Sequence, residues 1–296
     1  MHIVYVSDGK AGHRSQALGL YRAIQRQYQY DVSFQELPLA ELSWVSLAVA
    51  MFRSKLNVLN HSPSFIIGVG SHTQSRVLAL GKIYPQAKTI ILMKSNYPFA
   101  WFDYVVVPEH DGITAQDHVV VTQGALNPIV NEARHQSNRI LIALGGSSKR
   151  HQWNGEKVLQ RIEQIVVQNA ASEIILTTSR RTPKEFLMQL KAQSYSHNLK
   201  IFPVEETPQG WIFEQMQLAE AVWVTEDSVS MIYEALTAGC KVGVIQIDRL
   251  KEDRITHSID LIVDQQLVAY TAQLDQLPKP TAFKEAERVA TYLLAP

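Results

Sequence analysis

Short apolar runs alternate with longer segments of helical pattern along the whole chain of 296 residues. Runs that are apolar at every position are typical of parallel strands whose sheet is covered by helices on both faces. Alternation of such strands with helices indicates an α/β fold. In the first half the runs lie at 3–6, 32–37, 65–69, 89–93, 104–107 and 119–122, and helices are expected at about 14–28, 41–56 and 72–83.

The second half repeats this pattern, so two similar doubly wound domains are expected. Its runs lie at 140–144, 174–177, 200–202, 221–224, 241–245 and 269–271, with helices near 154–169, 182–194, 211–218, 228–238, 254–264 and 281–294. The polar stretch 130–138 is interpreted as a linker. We predict Rossmann-like domains at 1–135 and 139–280, each bringing the carboxyl ends of its strands, where such sheets bind ligands, toward a shared cleft.

One turn from strand to helix in the second half carries the strongest signal for a ligand. The apolar run 221–224 is followed by Thr225, Glu226, Asp227 and Ser228, and then by a helical segment with Ser230, Met231 and Glu234. Asp227 and Ser228 are types that cap helix starts, where unpaired N–H groups attract phosphate. Glu234 could bind two hydroxyls of a ribose. The alternative is an ordinary capped helix with an outward glutamate.

A glycine-rich turn follows the first strand of each half. The first contains Gly9, Gly12 and His13, and the second contains Gly145, Gly146, Ser147, Ser148 and Lys149. Glycine lets the backbone approach a ligand closely, and such turns offer N–H donors to anions. Neither matches a P-loop or the dinucleotide pattern G-x-G-x-x-G, so their order along the chain is the stronger evidence.

Charge and cysteine content exclude several classes of protein. The 28 basic and 28 acidic residues cancel, so no overall basic field argues for a nucleic-acid partner. The single cysteine, Cys240, excludes an intrachain disulfide and a multi-cysteine zinc site, which suits a reducing compartment. No D-x-D occurs, so a divalent metal that clamps a diphosphate is not indicated.

Membrane contact is expected to be peripheral at most. The chain opens on a strand without the features of a signal peptide, which indicates a cytoplasmic protein. The longest apolar stretch, 44–52, is well short of the roughly 20 residues that a membrane span needs. With Arg53 and Lys55 beside it, this stretch could lie on the inner face of a membrane; the alternative is a core or domain-packing helix.

These motifs resemble two groups of known proteins. Gly12-His13, Gly145-Gly146-Ser147 and Glu234 are similar to the loops of GT-B glycosyltransferases, especially the group of the lipid-II-forming N-acetylglucosaminyl transferase. A closer resemblance is to the Elm-type mitochondrial fission protein family and its bacterial relatives. It rests on four blocks in order: Asp8-Gly9-Lys10 with Gly12-His13, Pro108-Glu109-His110-Asp111, Thr122-Gln123-Gly124-Ala125, and Thr225-Glu226-Asp227-Ser228 with Glu234.

The resemblance implies a GT-B-like fold with a nucleotide-sugar site in the second domain. It also implies that the last helix crosses back, so that 281–296 packs on the first domain through an apolar stripe. Arg254 and His257 share a helix face and would be directed at the donor sugar. The predicted binding residues are Gly12, Gly145, Gly146, Ser147, Ser148, Lys149, Glu226, Asp227, Ser228, Ser230, Met231, Glu234, Arg254 and His257.

The catalytic candidates are His13, Glu109 and Asp111. His13 lies where a base would take the proton of an acceptor hydroxyl, and imidazole suits that task near neutral pH. Glu109 and Asp111, after the strand at 104–107, could orient the acceptor or act as acid and base. The alternatives are a histidine that packs at a helix start and a solvated turn. Lys10, Lys149 and Arg150 could neutralise a diphosphate; the alternative is that they are surface cations without a function. Glu226 and Asp227 would repel a diphosphate, unless they face sugar hydroxyls or cap the helix.

The sequence thus favours a metal-independent glycosyltransferase that uses a nucleotide-diphosphate sugar as substrate and needs no cofactor. Its acceptor would be lipid-linked or an envelope glycan. Two alternatives stay open: a non-enzymatic interaction protein of the Elm type, and a nucleotide-sugar 2-epimerase that uses carboxylates near the sugar.

Overall fold

The computed structural model describes residues 1–53, 56, 58–59 and 61–295. Within them the chain forms two compact units, Met1–Pro128 with Lys284–Pro296, and Ile129–Phe283. The segment 129–135 therefore belongs to the second unit, although the sequence placed it at the end of the first domain. Lys55, expected at the rim of an apolar surface, lies outside the described residues.

The first unit is built on a parallel sheet in the order β2-β1-β3-β4-β5-β6. Its strands are β1 His2–Ser7, β2 Ser33–Pro38, β3 Phe65–Val69, β4 Lys88–Leu92, β5 Tyr104–Pro108 and β6 Val119–Thr122. Its helices are α1 Ala11–Gln27, α2 Trp44–Arg53 and α3 Gln74–Ile83. The apolar runs thus form the expected strands.

Both faces of this sheet are buried at its inner strands, which explains why β3 and β5 are almost entirely apolar, whereas the edge strand β2 is partly exposed and carries Gln35 and Glu36. Val4 and Val6 of β1 face one core with Leu80 of α3, whereas Ile3 and Tyr5 face the other. The second core includes the last helix, α9 (Glu285–Leu294), whose side chains Ala286, Val289, Ala290 and Leu293 pack with those of α1. The terminal helix therefore belongs to the first unit, as the apolar stripe predicts.

The second unit is built on a parallel sheet in the order β10-β9-β7-β11-β12. These strands are β7 Gln136–Ala143, β9 Glu173–Thr177, β10 Leu199–Phe202, β11 Ala219–Thr225 and β12 Lys241–Ile245; β8 His151–Gln152 and β13 Asp248–Arg249 form a short antiparallel pair. Its helices are α4 Gly155–Gln168, α5 Phe186–Lys191, α6 Trp211–Leu218, α7 Val229–Ala238 and α8 Arg254–Asp264.

The expected strand at 269–271 is wrong. Only Ala269 pairs with the sheet, through a bridge to Gly243, and the segment then turns away. Its carbonyl at Thr271 accepts a 2.8 Å hydrogen bond from Nε1 of the fully buried Trp223. This contact fixes the segment as a covering loop, so its apolar residues pack without forming a strand.

The stretch interpreted as a linker is bound to the second unit. Residues 136–138 are the first residues of β7. His135 places Nδ1 2.7 Å from the Ala219 carbonyl oxygen and Nε2 3.0 Å from that of Ala238. The side chain of Gln217 bonds both the Glu132 N–H and the Val130 carbonyl. The polar residues here form hydrogen bonds with backbone groups of the second unit. Composition alone does not distinguish such residues from those of a solvated linker.

The strand orders define one switch point in each sheet. In the first, the chain runs outward in both directions from the neighbours β1 and β3; in the second it does so from β7 and β11. Loops that leave such neighbours diverge and open a crevice at the carboxyl ends of the strands. The predicted α/β fold with two parallel sheets is confirmed, and each unit offers one such crevice.

Candidate functional site

The loops after β7 and β11 meet at the switch point of the second unit. Gly145 N–H donates to Oγ1 of Thr225 at 2.6 Å, and Gly146 N–H donates to Oδ2 of Asp227 at 3.0 Å. A Cβ atom on Gly145 would lie 2.2 Å from that carboxylate, and one on Gly146 would lie 2.0 Å from the backbone oxygen of Arg181. The two glycines are therefore required by the close approach of three loops. The structure thus brings together the two motifs that the sequence separates by about 80 residues.

The start of α7 has open hydrogen-bond donors. The N–H groups of Met231 and Ile232 donate to the Ser228 carbonyl, while the Ser228 side chain does not cap the helix. The N–H groups of Val229 and Ser230 have no partner within the described residues. Free N–H groups at the positive end of a helix dipole bind anions. The start of α7 is therefore a candidate anion subsite of this crevice.

Two acidic residues beside this subsite are neutralised internally. The Asp227 side chain is fully buried and its Oδ2 lies 2.6 Å from Nη1 of Arg181. Glu226 is 2% exposed, and its Oε1 accepts a 2.6 Å bond from Nε of Arg249. Because each carboxylate is paired with an arginine, the repulsion of a diphosphate expected from their charges is offset. Sequence alone could not reveal these partners, since each contact is made across loops.

Arg249 links several carboxylates at the side of the crevice. It bonds both carboxylate oxygens of Asp260 at 2.6 and 3.0 Å, in addition to Glu226. The Asp260 and Glu226 carboxylates raise the pKa of Arg249 above its usual range, although burial opposes them. This cluster lines a polar cavity of about 460 Å³ together with Tyr270, Lys157 and Asp248. It holds the loop after β12 in place.

Glu234 is the acidic residue of α7. Its carboxylate has no hydrogen-bond or ion-pair partner in the part of the chain that the structure describes, and its side chain is half-buried. Burial raises the pKa of Glu234 to about 7. A carboxylate held in this state without a partner is typical of a ligand-binding position. It can accept hydrogen bonds from hydroxyls of a bound molecule.

The loop after β7 holds basic residues in different states. Arg150 bonds both carboxylate oxygens of Asp253, at 2.8 and 2.9 Å, and Asp253 in turn caps the start of α8. Arg150 therefore ties this loop to the start of α8. Lys149 is exposed and has no partner among the described residues. Ser147 and Ser148 bond the backbone of residues 150–153 and shape this loop.

Arg254 and His257 lie on the first turn of α8. His257 is 64% exposed, with Nε2 3.7 Å from the carboxylate of Glu252. The ligand atoms of Glu252, His257 and Asp260 lie within 4.8 Å of one another, a spacing that suits a metal ion. Because Asp260 is already bonded to Arg249, these three residues are part of a charged network on the protein surface. The direction of Arg254 and His257 toward a sugar stays a prediction.

A second cavity adjoins the glycine loop. It measures about 330 Å³ and is lined by Thr178, Ser179, Thr182, Lys184 and Glu205, among others. Ser179 and Thr182 both donate to the Gly145 carbonyl, at 3.0 and 2.5 Å. Two residues that line this cavity are therefore bonded directly to the glycine loop.

In the first unit, His13 is oriented by Asp8. Nδ1 of His13 lies 3.0 Å from both carboxylate oxygens of Asp8, whose side chain is 4% exposed. Burial would raise the pKa of Asp8, but hydrogen bonds from Lys10 and the charge of His13 outweigh it, so this pKa is lowered. The ring packs on Gly70, where a Cβ atom would lie 2.6 Å from Cε1. Gly12 has open space around it.

Glu109 and Asp111 follow β5 in a short 3-10 turn. Oε1 of Glu109 is buried and has no partner among the described residues. Burial raises the pKa of Glu109, and the charge of Glu285 adds to this effect. Nε2 of His110 lies 3.9 Å from Asp111. Since β3 and β4 separate β1 from β5, the ends of β1 and β5 are about 14 Å apart, so the turn with Glu109 does not follow a strand adjacent to β1.

Helix α2 carries an exposed apolar face. Trp44, Val45, Val49, Met51 and Phe52 are all exposed, Phe52 to 92%. The Arg76 guanidinium lies 4.0 Å from the centre of the Trp44 ring. No helix in the described ranges has the length and hydropathy to cross a membrane. The apolar surface is therefore confined to a short helix.

Comparison with solved structures identifies the fold class. The chain is similar to MurG from Acinetobacter baumannii, with a TM-score of 0.52 and 15% identity, covering 99% of this chain and 90% of that one. It is also similar to MnaA from S. aureus, solved with UDP, with a TM-score of 0.52 and 11% identity over 99% and 95% of the two chains. At these identities the likeness shows the fold alone. The fold is that of the GT-B class, with two Rossmann-like domains.

Comparison of sequences identifies the family. The family described as mitochondrial fission ELM1 matches residues 11–295. This chain belongs to that family. It is 21% identical to the "Uncharacterized protein RP120" of Rickettsia prowazekii (strain Madrid E), over 98% of this chain and 97% of that protein. The resemblance to the Elm-type family is confirmed.

Proposed function

We propose that the protein is a metal-independent glycosyltransferase that uses a nucleotide-diphosphate sugar as its donor. The observation that carries this proposal lies at the switch point of the second unit. There the open start of α7 borders the Gly145–Gly146 loop, and the same helix carries Glu234, a carboxylate without a partner among the described residues. An anion subsite beside a hydroxyl acceptor matches a phosphorylated ribose.

The donor would be bound by groups around the switch point of the second unit. Its phosphates accept from the N–H groups of Val229 and Ser230, with Lys149 nearby in the glycine loop. The ribose hydroxyls donate to Glu234. The base enters the cavity of about 330 Å³ beside Ser179 and Thr182. Arg254 and His257 remain the candidates for the sugar.

His13 would act as the base toward the acceptor. Its Nδ1–H donates to Asp8, which leaves Nε2 to take a proton. The acceptor hydroxyl gives its proton to Nε2 while its oxygen attacks the anomeric carbon of the donor. The bond from that carbon to the diphosphate then breaks and releases the nucleoside diphosphate. Asp8 stabilises the imidazolium that forms.

The acceptor would be a lipid-linked molecule at a membrane surface. The exposed face of α2, which includes Val45 and Phe52, would enter the headgroup region of the inner face, with Arg53 beside it. We expect Phe52→Glu to reduce flotation of the protein with anionic phosphatidylglycerol vesicles. Equal flotation of this variant and the wild type would contradict the membrane contact.

A nucleotide-sugar 2-epimerase is the second candidate, and Glu109 favours it. A buried carboxyl with a raised pKa can hold or take a proton, as an epimerase requires. Incubation with nucleotide sugars in deuterated water tests this activity. Exchange of the C2 proton of the sugar without an acceptor would support it, and no exchange with any nucleotide sugar that binds would exclude it.

A non-enzymatic role in the family is separated from catalysis by one variant. If the protein acts only by interaction, His13→Ala with Glu234→Ala should keep its cellular role. A glycosyltransferase should lose that role in the same variant.

Calorimetric titration with UDP, GDP, ADP, TDP and CMP tests the proposed donor directly. We expect one of these nucleotides to bind the wild type, and Glu234→Ala to weaken it about tenfold or more. Absence of binding by all five would refute the glycosyltransferase.

A further inference from the structure

Arg181 lies between all three loops that surround the anion subsite, although no sequence motif marks it. It follows β9, and its guanidinium donates to Asp227 at 2.6 Å, to Oγ of Ser228 at 3.0 Å and to the Ser147 carbonyl at 3.5 Å. Asp227 and Ser228 immediately precede the open N–H groups of α7. Arg181 thus directly contacts both residues that precede this helix start.

The side chain of Arg181 is accessible while its anchor is buried. Arg181 is 44% exposed, whereas the Asp227 side chain has no exposure. A guanidinium has five N–H donors in a planar fork, and the contacts to Asp227, Ser228 and Ser147 leave some of them open. A ligand can therefore reach Arg181 without first breaking its ion pair with a buried carboxylate, which would be costly.

The contact to Ser228 is also easy to exchange. Ser228 Oγ lies 3.3 Å from the same oxygen of Asp227, so it keeps a partner if Arg181 turns away. The other oxygen of Asp227, Oδ1, is buried and has no partner within the described residues. Asp227 can therefore follow a small movement of the guanidinium through either of its oxygens.

We propose that Arg181 binds a phosphate group of the nucleotide and that Asp227 positions it for this contact. The inference rests on the proposed nucleotide site and assigns its principal cation. Arg181 exchanges Ser228 Oγ for a phosphate oxygen that also accepts from the α7 N–H groups. Arg150, one of three cations that the sequence suggested, bonds the carboxylate of Asp253 instead.

The neighbouring Arg180 provides a matched control. It is exposed and has no partner in the described part of the chain, so Arg180→Ala removes the same charge without removing a contact. Binding of pyrophosphate and of the best nucleotide of the panel is measured by calorimetry for the wild type, Arg180→Ala, Arg181→Ala and Arg181→Lys. We expect Arg181→Ala to weaken both ligands about ten- to a hundredfold, and Arg180→Ala to weaken them less than threefold.

Arg181→Lys keeps a charge next to Asp227 and guards against a failure to fold. It should bind pyrophosphate more weakly than the wild type because it lacks the planar fork. Equal losses in Arg180→Ala and Arg181→Ala, or unchanged binding in both Arg181 variants, would overturn the inference. Binding of pyrophosphate through Arg181 without binding of any nucleotide would support Arg181 and refute the proposed donor. Nucleotide binding that is unchanged in both Arg181 variants would support the proposed donor and refute the role of Arg181.

Discussion

Asp8 holds Nδ1 of His13 at 3.0 Å, and this contact fixes which nitrogen of the ring can accept a proton. If His13 is the base, Asp8→Asn should lower turnover about tenfold to a hundredfold, because the orientation and charge support of the imidazole are lost. Release of nucleoside diphosphate from the donor measures turnover. Donor affinity should stay unchanged, since Asp8 lies in the first unit and the donor site in the second.

The contact between Asp8 and His13 can be measured independently of turnover, through the tautomer of the His13 ring. The 15N signals of the His13 ring should report Nδ1–H in the wild type and a mixture of tautomers in Asp8→Asn. Unchanged ring signals and unchanged turnover in the variant would show that Asp8 does not position His13.

Glu234 should make the protein less stable as the pH rises. Its pKa is about 7 in the folded protein and 4.5 without burial, so the folded state binds this proton more tightly. The contribution is fully present below about pH 4.5 and is lost as the pH rises through 7. Glu234→Gln removes the loss, and we expect it to raise stability at pH 8 by about 2–3 kcal/mol. Equal denaturation midpoints of the two proteins at pH 8 would contradict this expectation.

Glu234 should also make the protein prefer a ribonucleotide over its 2′-deoxy form. A carboxylate that accepts from ribose hydroxyls binds a nucleotide more tightly than its 2′-deoxy form, by about tenfold for a bond to a charged group. In Glu234→Gln this difference should shrink, whereas affinity for pyrophosphate should not change. Calorimetry with both forms of the nucleotide measures the coupling. An equal preference for the ribose form in both proteins would place the sugar elsewhere.

The glycines of the loop after β7 should not tolerate a methyl group. Gly146→Ala would place Cβ 2.0 Å from the Arg181 backbone oxygen, so the loops must separate. We expect a loss of stability on the order of 1–3 kcal/mol. Gly12→Ala is a control for stability alone, because nothing lies within 4 Å of its Cβ position. A stable Gly146→Ala protein would show that the loops do not pack as described.

His135 should stabilise the second unit although it lies in a polar connecting stretch. Nδ1 of its ring lies 2.7 Å from the Ala219 carbonyl oxygen and Nε2 lies 3.0 Å from that of Ala238, the last residue of α7, so a ring N–H donates to at least one of them. His135→Ala removes this donor, and we expect a loss on the order of 1–3 kcal/mol in urea denaturation. His197→Ala, at an exposed histidine, should have little effect. Equal stability of the two variants would indicate a solvated linker.

The sequence predicted the strands well because complete burial of both sheet faces leaves a direct mark on composition. It also located Gly145, Gly146, Asp227, Ser228 and Glu234, since turns after buried strands are visible in one dimension. No motif marked Arg181, whose partner lies 46 residues further along, or the ion pair between Arg150 and Asp253, which are 103 residues apart. Pairing of charges across loops depends on strand order, which periodicity does not encode.

The same limit affected the first unit. Sequence grouped His13 with Glu109 as catalytic candidates, but the order β1-β3-β4-β5 separates the strand ends that precede them. The role of Asp8 could have been suspected, because it lies five residues before His13 across a turn into a helix. That the two side chains meet depends on the conformation of the turn.

A crystal structure with the nucleotide of the panel that binds best will show whether the nucleotide binds at the start of α7. We expect its phosphates to lie within hydrogen-bonding distance of the Val229 and Ser230 N–H groups and its ribose hydroxyls to contact Glu234. A nucleotide bound in the first unit, or bound in the second with its phosphates away from the start of α7, would contradict it.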